Sequence, residues 1–188
     1  MTSLLRIVMV LAVALVVPGQ VWAQVSQLSG TGSVEYRLLH KFHTVTGVSK
    51  AMVVKGTVDA TGLKLMARAP MSTFDSDNSN RDAHMMEAVE GEKFPWVNVR
   101  AVLPSFKLPK SGTTKITVQA AVELHGVAVN HPIDITLETK DGATIQASFT
   151  FSESLTAHKI ERPSLMFVAV DDLITITGKA SVAVKSGG

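Results

Sequence analysis

Thr114–Leu124 reads TKITVQAAVEL. Ile116, Val118, Ala120, Val122 and Leu124 fall on one side of an extended chain, and Lys115, Thr117, Gln119 and Glu123 on the other. An apolar residue at every second position is the period of a half-buried strand, because successive side chains of a strand point to opposite faces. The pattern repeats outward along the chain. Ile133, Ile135 and Leu137 alternate with Asp134, Thr136 and Glu138. Ile145, Ala147, Phe149 and Phe151 alternate with Thr144, Gln146, Ser148 and Thr150. Ile174, Ile176, Gly178, Ala180, Val182 and Val184 do the same towards the C-terminus, and weaker alternation marks Val34–Leu38, Met52–Val58, Leu63–Ala69 and Val97–Leu103. About eight strands are expected, each with one apolar face. Ala60-Thr61-Gly62, Lys110-Ser111-Gly112 and Asp141-Gly142 are turn signals between them. Close, regular spacing predicts an all-β antiparallel meander, which has two solutions, a sandwich or a closed barrel. Closure removes exposed edges, but the alternation alone does not choose.

Two stretches break the pattern. Ser72–Pro95, STFDSDNSNRDAHMMEAVEGEKFP, is a long polar excursion between strands. Within it Ser79 and Asp82 fit a capping box that would open a helix near Asn80. Arg81–Val89 has no Gly or Pro, Ala83, Met86 and Val89 are the expected buried stripe, and Gly91 ends the helix. Ser152–Asp171 is the second excursion, and its apolar Leu165–Val170 suits a short extra strand or a lid.

Met1–Arg6 carries one Arg, Ile7–Val17 is an unbroken apolar run of 11 residues, and Val21-Trp22-Ala23 follows. This is the layout of a secretory signal peptide over residues 1–23, cut after Ala23. The run is too short for a bilayer span, which needs roughly 20 residues. Residues 24–188 then form one domain of about 165 residues. The chain has no Cys, so neither a disulfide nor an N-terminal lipid on Cys is available. Without Arg6 there are 17 Lys plus Arg against 16 Asp plus Glu, a balance that argues against a nucleic-acid partner. An exported, Cys-free chain with no membrane span after cleavage suits a bacterial periplasm, with full secretion and a homodimer left open.

The inward set is rich in Val, Ile and Ala and holds few aromatics, Tyr36, Phe149 and Phe151. An eight-stranded barrel is just filled by side chains or holds one small ligand. Small aliphatic walls favour an under-filled wide end and an elongated apolar ligand, while a packed core stays open as the alternative. Arg81 and His84 share a helical face at i, i+3. At a barrel mouth they would bind a phosphate or other polar head group, since a guanidinium donates parallel hydrogen bonds. Alternatively Arg81 and Asp82 pin the helix to the barrel. His84 and Glu87 have a usable metal spacing, but no matching pair accompanies them and HExxH is absent, so no metal is expected. His43 is a candidate polar contact, whereas His125, followed by Gly126, reads as a turn residue bonded to backbone carbonyls. There is no GxSxG elbow and no Cys, and Asp75 with Asp82 is a bare carboxylate pair, so no catalytic residues are assigned. Gly30-Thr31-Gly32 reads as a flexible Gly pair.

Asp75-Ser76, Asn78, Arg81-Asp82, His84-Met85 and Phe94-Pro95 together resemble the signature of the YceI-like family, exported lipocalin-like barrels that bind polyisoprenoid lipids. His43-Thr44-Val45-Thr46-Gly47 and Leu124–Pro132, LHGVAVNHP, match further family steps, the second with one extra residue before Pro132. Ile160–Met166, IERPSLM, resembles only a sub-branch. The resemblance implies an antiparallel eight-stranded lipocalin-like β-barrel with one short helix between strands. It also implies non-enzymatic binding of an amphiphilic isoprenoid, a polyprenyl phosphate or a quinone, with no cofactor. His43, Arg81, Asp82 and His84 would then meet the head group and Phe149 and Phe151 the tail.

Overall fold

The computed structural model describes residues 25–40, 43–165 and 168–187 of the 188-residue chain. The expected signal segment lies outside these residues. Strands β1 (Ser26–His40), β2 (His43–Asp59), β3 (Gly62–Pro70), β4 (Trp96–Pro104), β5 (Gly112–Leu124), β6 (Val127–Thr139) and β7 (Thr144–Ser154) follow one another as an antiparallel meander. After a long excursion β10 (Leu173–Ser186) pairs with both β7 and β1 and closes an eight-stranded barrel. Within the excursion β8 (Ser164–Leu165) and β9 (Val168–Ala169) pair as a short two-stranded ribbon, where a short extra strand or a lid was expected.

The sequence alternation becomes the inside and outside of the barrel, but two strands hide part of it. On β2, Met52, Val54 and Val58 are buried at even positions, whereas Ser49 is buried at an odd one. The β1–β2 register slips by one residue between Gly32 and Val34, and this bulge exchanges the two faces of β2. Gly30 and Gly32, expected as a flexible pair, are paired strand residues. They lie inside β1 with the backbone of β10 so close that a Cβ at either would collide with it.

The two ends differ in packing. At the lower end, which carries the β2–β3 and β6–β7 turns, Leu28, Val58, Leu63, Ile145 and Val182 are buried, with Phe106 and Leu108 of the β4–β5 loop packed among the core. At the upper end, inward residues such as Val34, Leu65, Ala67, Val99 and Ile176 keep exposed surface although they face the barrel axis. Aliphatic walls without enough aromatic volume leave this half unfilled.

Both excursions cover the upper end. From Pro70 the chain makes a 3₁₀ turn (Met71–Thr73) and then helix α1 (Ser79–Ala88). Asn78 rather than Ser79 is the N-cap, its side-chain oxygen accepting from Arg81 N at 3.0 Å. The C-terminus closes with Gly91 N donating to Met86 O at 2.8 Å and Glu90 N to Glu87 O at 3.1 Å, around Glu90 in a left-handed conformation (φ 45°). This is the Schellman arrangement, with its usual glycine displaced by one position. The inward stripe of α1 is Arg81, Met85 and Ala88, followed by Val89, and Ala83 is exposed. Of the expected stripe of Ala83, Met86 and Val89, Val89 is buried and Met86 packs against the core; Ala83 falls outside it, because the pins described below turn the Arg81–Met85 face inward.

Candidate functional site

The barrel and its roof enclose a cavity of about 440 Å³. Its walls are almost wholly apolar. Tyr36, Phe149, Phe151, Val122 and Ile133 come from the strands, and Met85 from α1. Leu155, Ile160 and Val170 come from the second excursion. Phe149 and Phe151 lie on the inward register of β7, their rings 6.1 Å apart and tilted by 35°. Phe149 covers Gly178 of β10, where a Cβ would strike the ring, so the missing side chain makes room for the aromatic.

The signature residues mostly build the roof. Asp75 exchanges two backbone hydrogen bonds with Val48 (2.9 and 3.1 Å), on the stretch of β2 above its pairing with β3, which begins at Val53. Asp82 Oδ1 accepts from both Ser76 N (3.1 Å) and Ser76 Oγ (2.6 Å). Arg81 Nη2 donates to Ser76 O at 2.7 Å. Phe94 covers Gly126 and meets the His125 ring edge-on at 5.1 Å. His125 and Gly126 form the two-residue turn between β5 and β6, both with positive φ (52° and 70°), the geometry of a type I′ hairpin. His125 Nδ1 donates to His158 O at 3.0 Å, as its reading as a turn residue expects, and Nε2 lies 3.1 Å from Glu90 Oε1. One histidine thereby ties the end of α1 to the second excursion.

Of the residues singled out as ligand contacts, Arg81, His84, Phe149 and Phe151 line the cavity. Arg81 helps to hold the roof. It pins Ser76 through Nη2, while Nε is buried without a hydrogen-bond partner among the described residues. His84 is exposed and stands at the rim. Asp82 is engaged by Ser76 and is not among the lining residues. His43 opens β2, but its side chain lies outside the described residues. Tyr36 lines the cavity too; burial above all, with the charge of Asp82 adding, raises its phenol pKa.

The sequence reading missed a polar cluster in the wall. The inward alternation of β7 runs one step past Phe151, to Glu153, which is 2 % exposed. Its Oε1 lies 2.9 Å from His131 Nε2 on β6 and 3.0 Å from Nε2 of His158, which is fully buried in a 3₁₀ turn (Thr156–His158). His158 Nδ1 donates to Val127 O at 2.9 Å. Burial pushes the His158 pKa down most, but the hydrogen bonds to Glu153 and to the backbone, with the Glu153 charge, outweigh it and leave the pKa raised. The β6–β7 ladder runs only from Ile135–Phe149 to Glu138–Gln146, so above it these side chains join the two strands in place of backbone pairs. Continuing the β7 alternation would have found Glu153. The histidines carried no sequence signal, because their partner is distant in sequence. No group of three or more His, Asp or Glu suited to holding a metal occurs among the described residues.

A closed antiparallel barrel with a roofed apolar cavity is the architecture of a lipocalin-like binding protein. The family model described as a YceI-like domain matches residues 23–182, and the chain belongs to the YceI-like family. A search of curated proteins finds no match. Among solved structures, a polyisoprenoid-binding domain from Saccharophagus degradans implicated in plant cell wall breakdown aligns at TM-score 0.70 and 11% identity, over 85% of this chain and 98% of its own. Burkholderia cenocepacia BcnA aligns at TM-score 0.65 and 16% identity, over 81% and 96% of the two chains. A Campylobacter jejuni YceI protein aligns at 0.58 and 16%, over 80% and 89%. Identities this low establish a shared fold.

Proposed function

We propose that this protein is an exported, periplasmic carrier that binds an amphiphilic isoprenoid lipid, a polyprenyl phosphate or an isoprenoid quinone, without chemical turnover. The observation that carries the reading is the apolar cavity of about 440 Å³ beneath the roof. Burial of each CH₂ contributes ~0.8 kcal/mol, so one five-carbon prenyl unit contributes about 4 kcal/mol. Several units are needed to outweigh an association cost of roughly 4–15 kcal/mol, which favours a long tail over a small molecule. The polar end would sit at the rim, where His84 is exposed, above the Arg81 guanidinium that lines the cavity. Asp82 is left out of this contact set, since Ser76 occupies it. The solved polyisoprenoid-binding domain of the same fold supports the ligand class.

The test is native mass spectrometry of the mature protein taken from its own periplasm, with organic extraction of whatever is bound. A stoichiometric isoprenoid adduct is the expected result. A clean apo mass that stays unchanged after incubation with quinones and polyprenyl phosphates would remove the reading.

A further inference from the structure

Met66 stands at the centre of a cross of cations on the outside of the barrel. Lys64 and Arg68 lie two positions either side of it on β3, and its register partners are Lys55 on β2 and Arg100 on β4. All four cations are exposed. Residues two apart on a strand are separated by about 6.6 Å and neighbouring strands by about 4.8 Å, so the backbone positions of Lys55 and Arg100 each stand roughly 8 Å from those of Lys64 and Arg68. That is no more than the Debye length of about 8 Å at physiological ionic strength, so salt does not remove the repulsion. Among the described residues no carboxylate lies within ion-pair distance of Lys55, Lys64 or Arg68. Glu123 pairs with Arg100 at 3.1 Å, and Asp59, which feels the charge of Lys64, is held by the backbone and hydroxyl of Thr61.

Composition does not account for the cluster. The chain carries 18 Lys plus Arg against 16 Asp plus Glu, and further round the barrel the outward register of β6 holds Asp134 and Glu138 and neither Lys nor Arg. Apolar side chains stand among the cations. Val102, opposite Lys64, is 58% exposed, and Trp96 is 37% exposed with the Arg68 guanidinium 4.4 Å from the centre of its ring. Between Lys55, Lys64 and Arg100 lies an open depression of about 560 Å³, which Thr57 and Met66 also line.

We propose that the outer face of β2, β3 and β4 is a docking surface for a bilayer rich in anionic phospholipids. Phosphate head groups meet the four cations, and Met66, Val102 and Trp96 reach the head-group boundary between them. Tryptophan is favoured at that boundary. A face that is basic and apolar together lets a protein lie on a bilayer without crossing it. An acidic protein would answer the charge alone; the exposed Val102 and Trp96 favour a surface with an apolar layer beneath its charges. Each cation beside an anionic bilayer strengthens binding by roughly fivefold, so four of them give a reversible attachment. Arg68 and Trp96 lie at the roof end of the face, where β3 runs into Pro70, so docking brings the edge of the roof to the membrane. The inference holds whatever the cavity contains.

The experiment is co-sedimentation of the mature protein with vesicles of phosphatidylglycerol and phosphatidylcholine in equal parts, beside vesicles of phosphatidylcholine alone. Binding to the mixed vesicles only, weakening as salt is raised, is the expected result. Lys55→Gln combined with Lys64→Gln should lower the affinity about 25-fold at low salt, roughly fivefold for each charge removed. Lys179→Gln combined with Lys185→Gln removes the same charge from the exposed face of β10 and should bind within about twofold of the wild type, because attraction to the bilayer falls off within a Debye length. Equal binding to the two kinds of vesicle, or an equal loss in the two double variants, overturns the proposal. So does failure to bind the mixed vesicles, and salt-sensitive retention on immobilised polyglutamate would then assign the face to an acidic protein. Sedimentation does not read the cavity. An isoprenoid adduct in a protein that ignores the vesicles removes the docking surface alone, and vesicle binding by a protein that takes up no isoprenoid leaves the docking surface standing and removes the carrier reading.

Discussion

Ala67→Leu decides by its sign whether the upper half of the barrel is empty. Ala67 sits in the middle of β3, opposite Val54 of β2 and Val99 of β4, and faces the cavity. Its residual exposure is therefore exposure to the interior. Leucine adds three carbons, which at ~0.8 kcal/mol each contribute about 2.4 kcal/mol on burial. Fixing the longer side chain returns roughly 0.5–1 kcal/mol of rotamer entropy. A net stabilisation of about 1.5 kcal/mol follows if the space is real. In a filled core the same change overpacks and costs typically 1–3 kcal/mol. Equilibrium unfolding of the delipidated protein in urea separates these cases. With an m-value of about 2 kcal/mol/M, the midpoint should rise by roughly 0.7 M at constant m. A midpoint that falls would refute the cavity as drawn. Added volume should also weaken isoprenoid binding, so a variant that is more stable and binds less well is the full signature.

Three further outcomes follow from the roof and the wall. Asp82→Ala removes both acceptor contacts to Ser76, and hydrogen bonds to a charged group at ~1.5–3 kcal/mol, counted as non-additive, predict a loss of about 2 kcal/mol in urea unfolding; a loss under about 0.5 kcal/mol would show that α1 is held by other contacts. His158 has a raised pKa, so its folded value lies above the unfolded one near ~6.5. Its contribution is complete below that unfolded value and is lost as pH rises through the folded one. Stability should decline on the alkaline side, and His158→Asn should flatten that decline; an unchanged slope refutes the assignment. Tyr36 is the only tyrosine, so tyrosinate absorbance reports it alone. Burial raises its pKa, and the titration midpoint should fall towards the ordinary ~10 on unfolding and rise further when lipid fills the cavity.

What was legible in the sequence followed local periodicity. The run from Ile116 to Leu124 is a strand whose odd and even residues part cleanly, and it falls inside β5. β2 was only half readable: the bulge near Ser49 exchanges its faces, so Val45 and Ser49 belong to the inside although they fall out of phase with Met52 and Val54. The start of β1 was obscured for another reason. Gly30 and Gly32 carry no apolar signal, yet they occupy inward positions because the β10 backbone leaves no room for a side chain there. The helix was recognised, with Met86 and Val89 on its core side, but its cap and the exposure of Ala83 were not, since the cap is Asn78 and the orientation is held by the Asp82–Ser76 and Arg81–Ser76 bonds. The wall cluster joins residues 22 positions apart in sequence, His131 and Glu153, and becomes visible only once β6 and β7 are neighbours.

The division of labour along the barrel ties these points to function. At the lower end large aliphatic side chains and the Phe106–Leu108 loop fill the core, which provides stability that a chain without disulfides must find in packing. At the upper end two ladders on opposite sides of the barrel stop short: β2–β3 begins pairing only at Val53, and β6–β7 pairs only from Ile135 downward. Each gap is bridged differently, the first by the Asp75–Val48 backbone pair, the second by His131, Glu153 and His158. A barrel closed here by strand pairing alone would need no long excursions. Ending the ladders early widens the mouth, and the excursions then roof it with contacts that are individually weaker than a continuous ladder. That construction makes a covered apolar chamber and keeps its cover separable from the part of the barrel that holds the fold together.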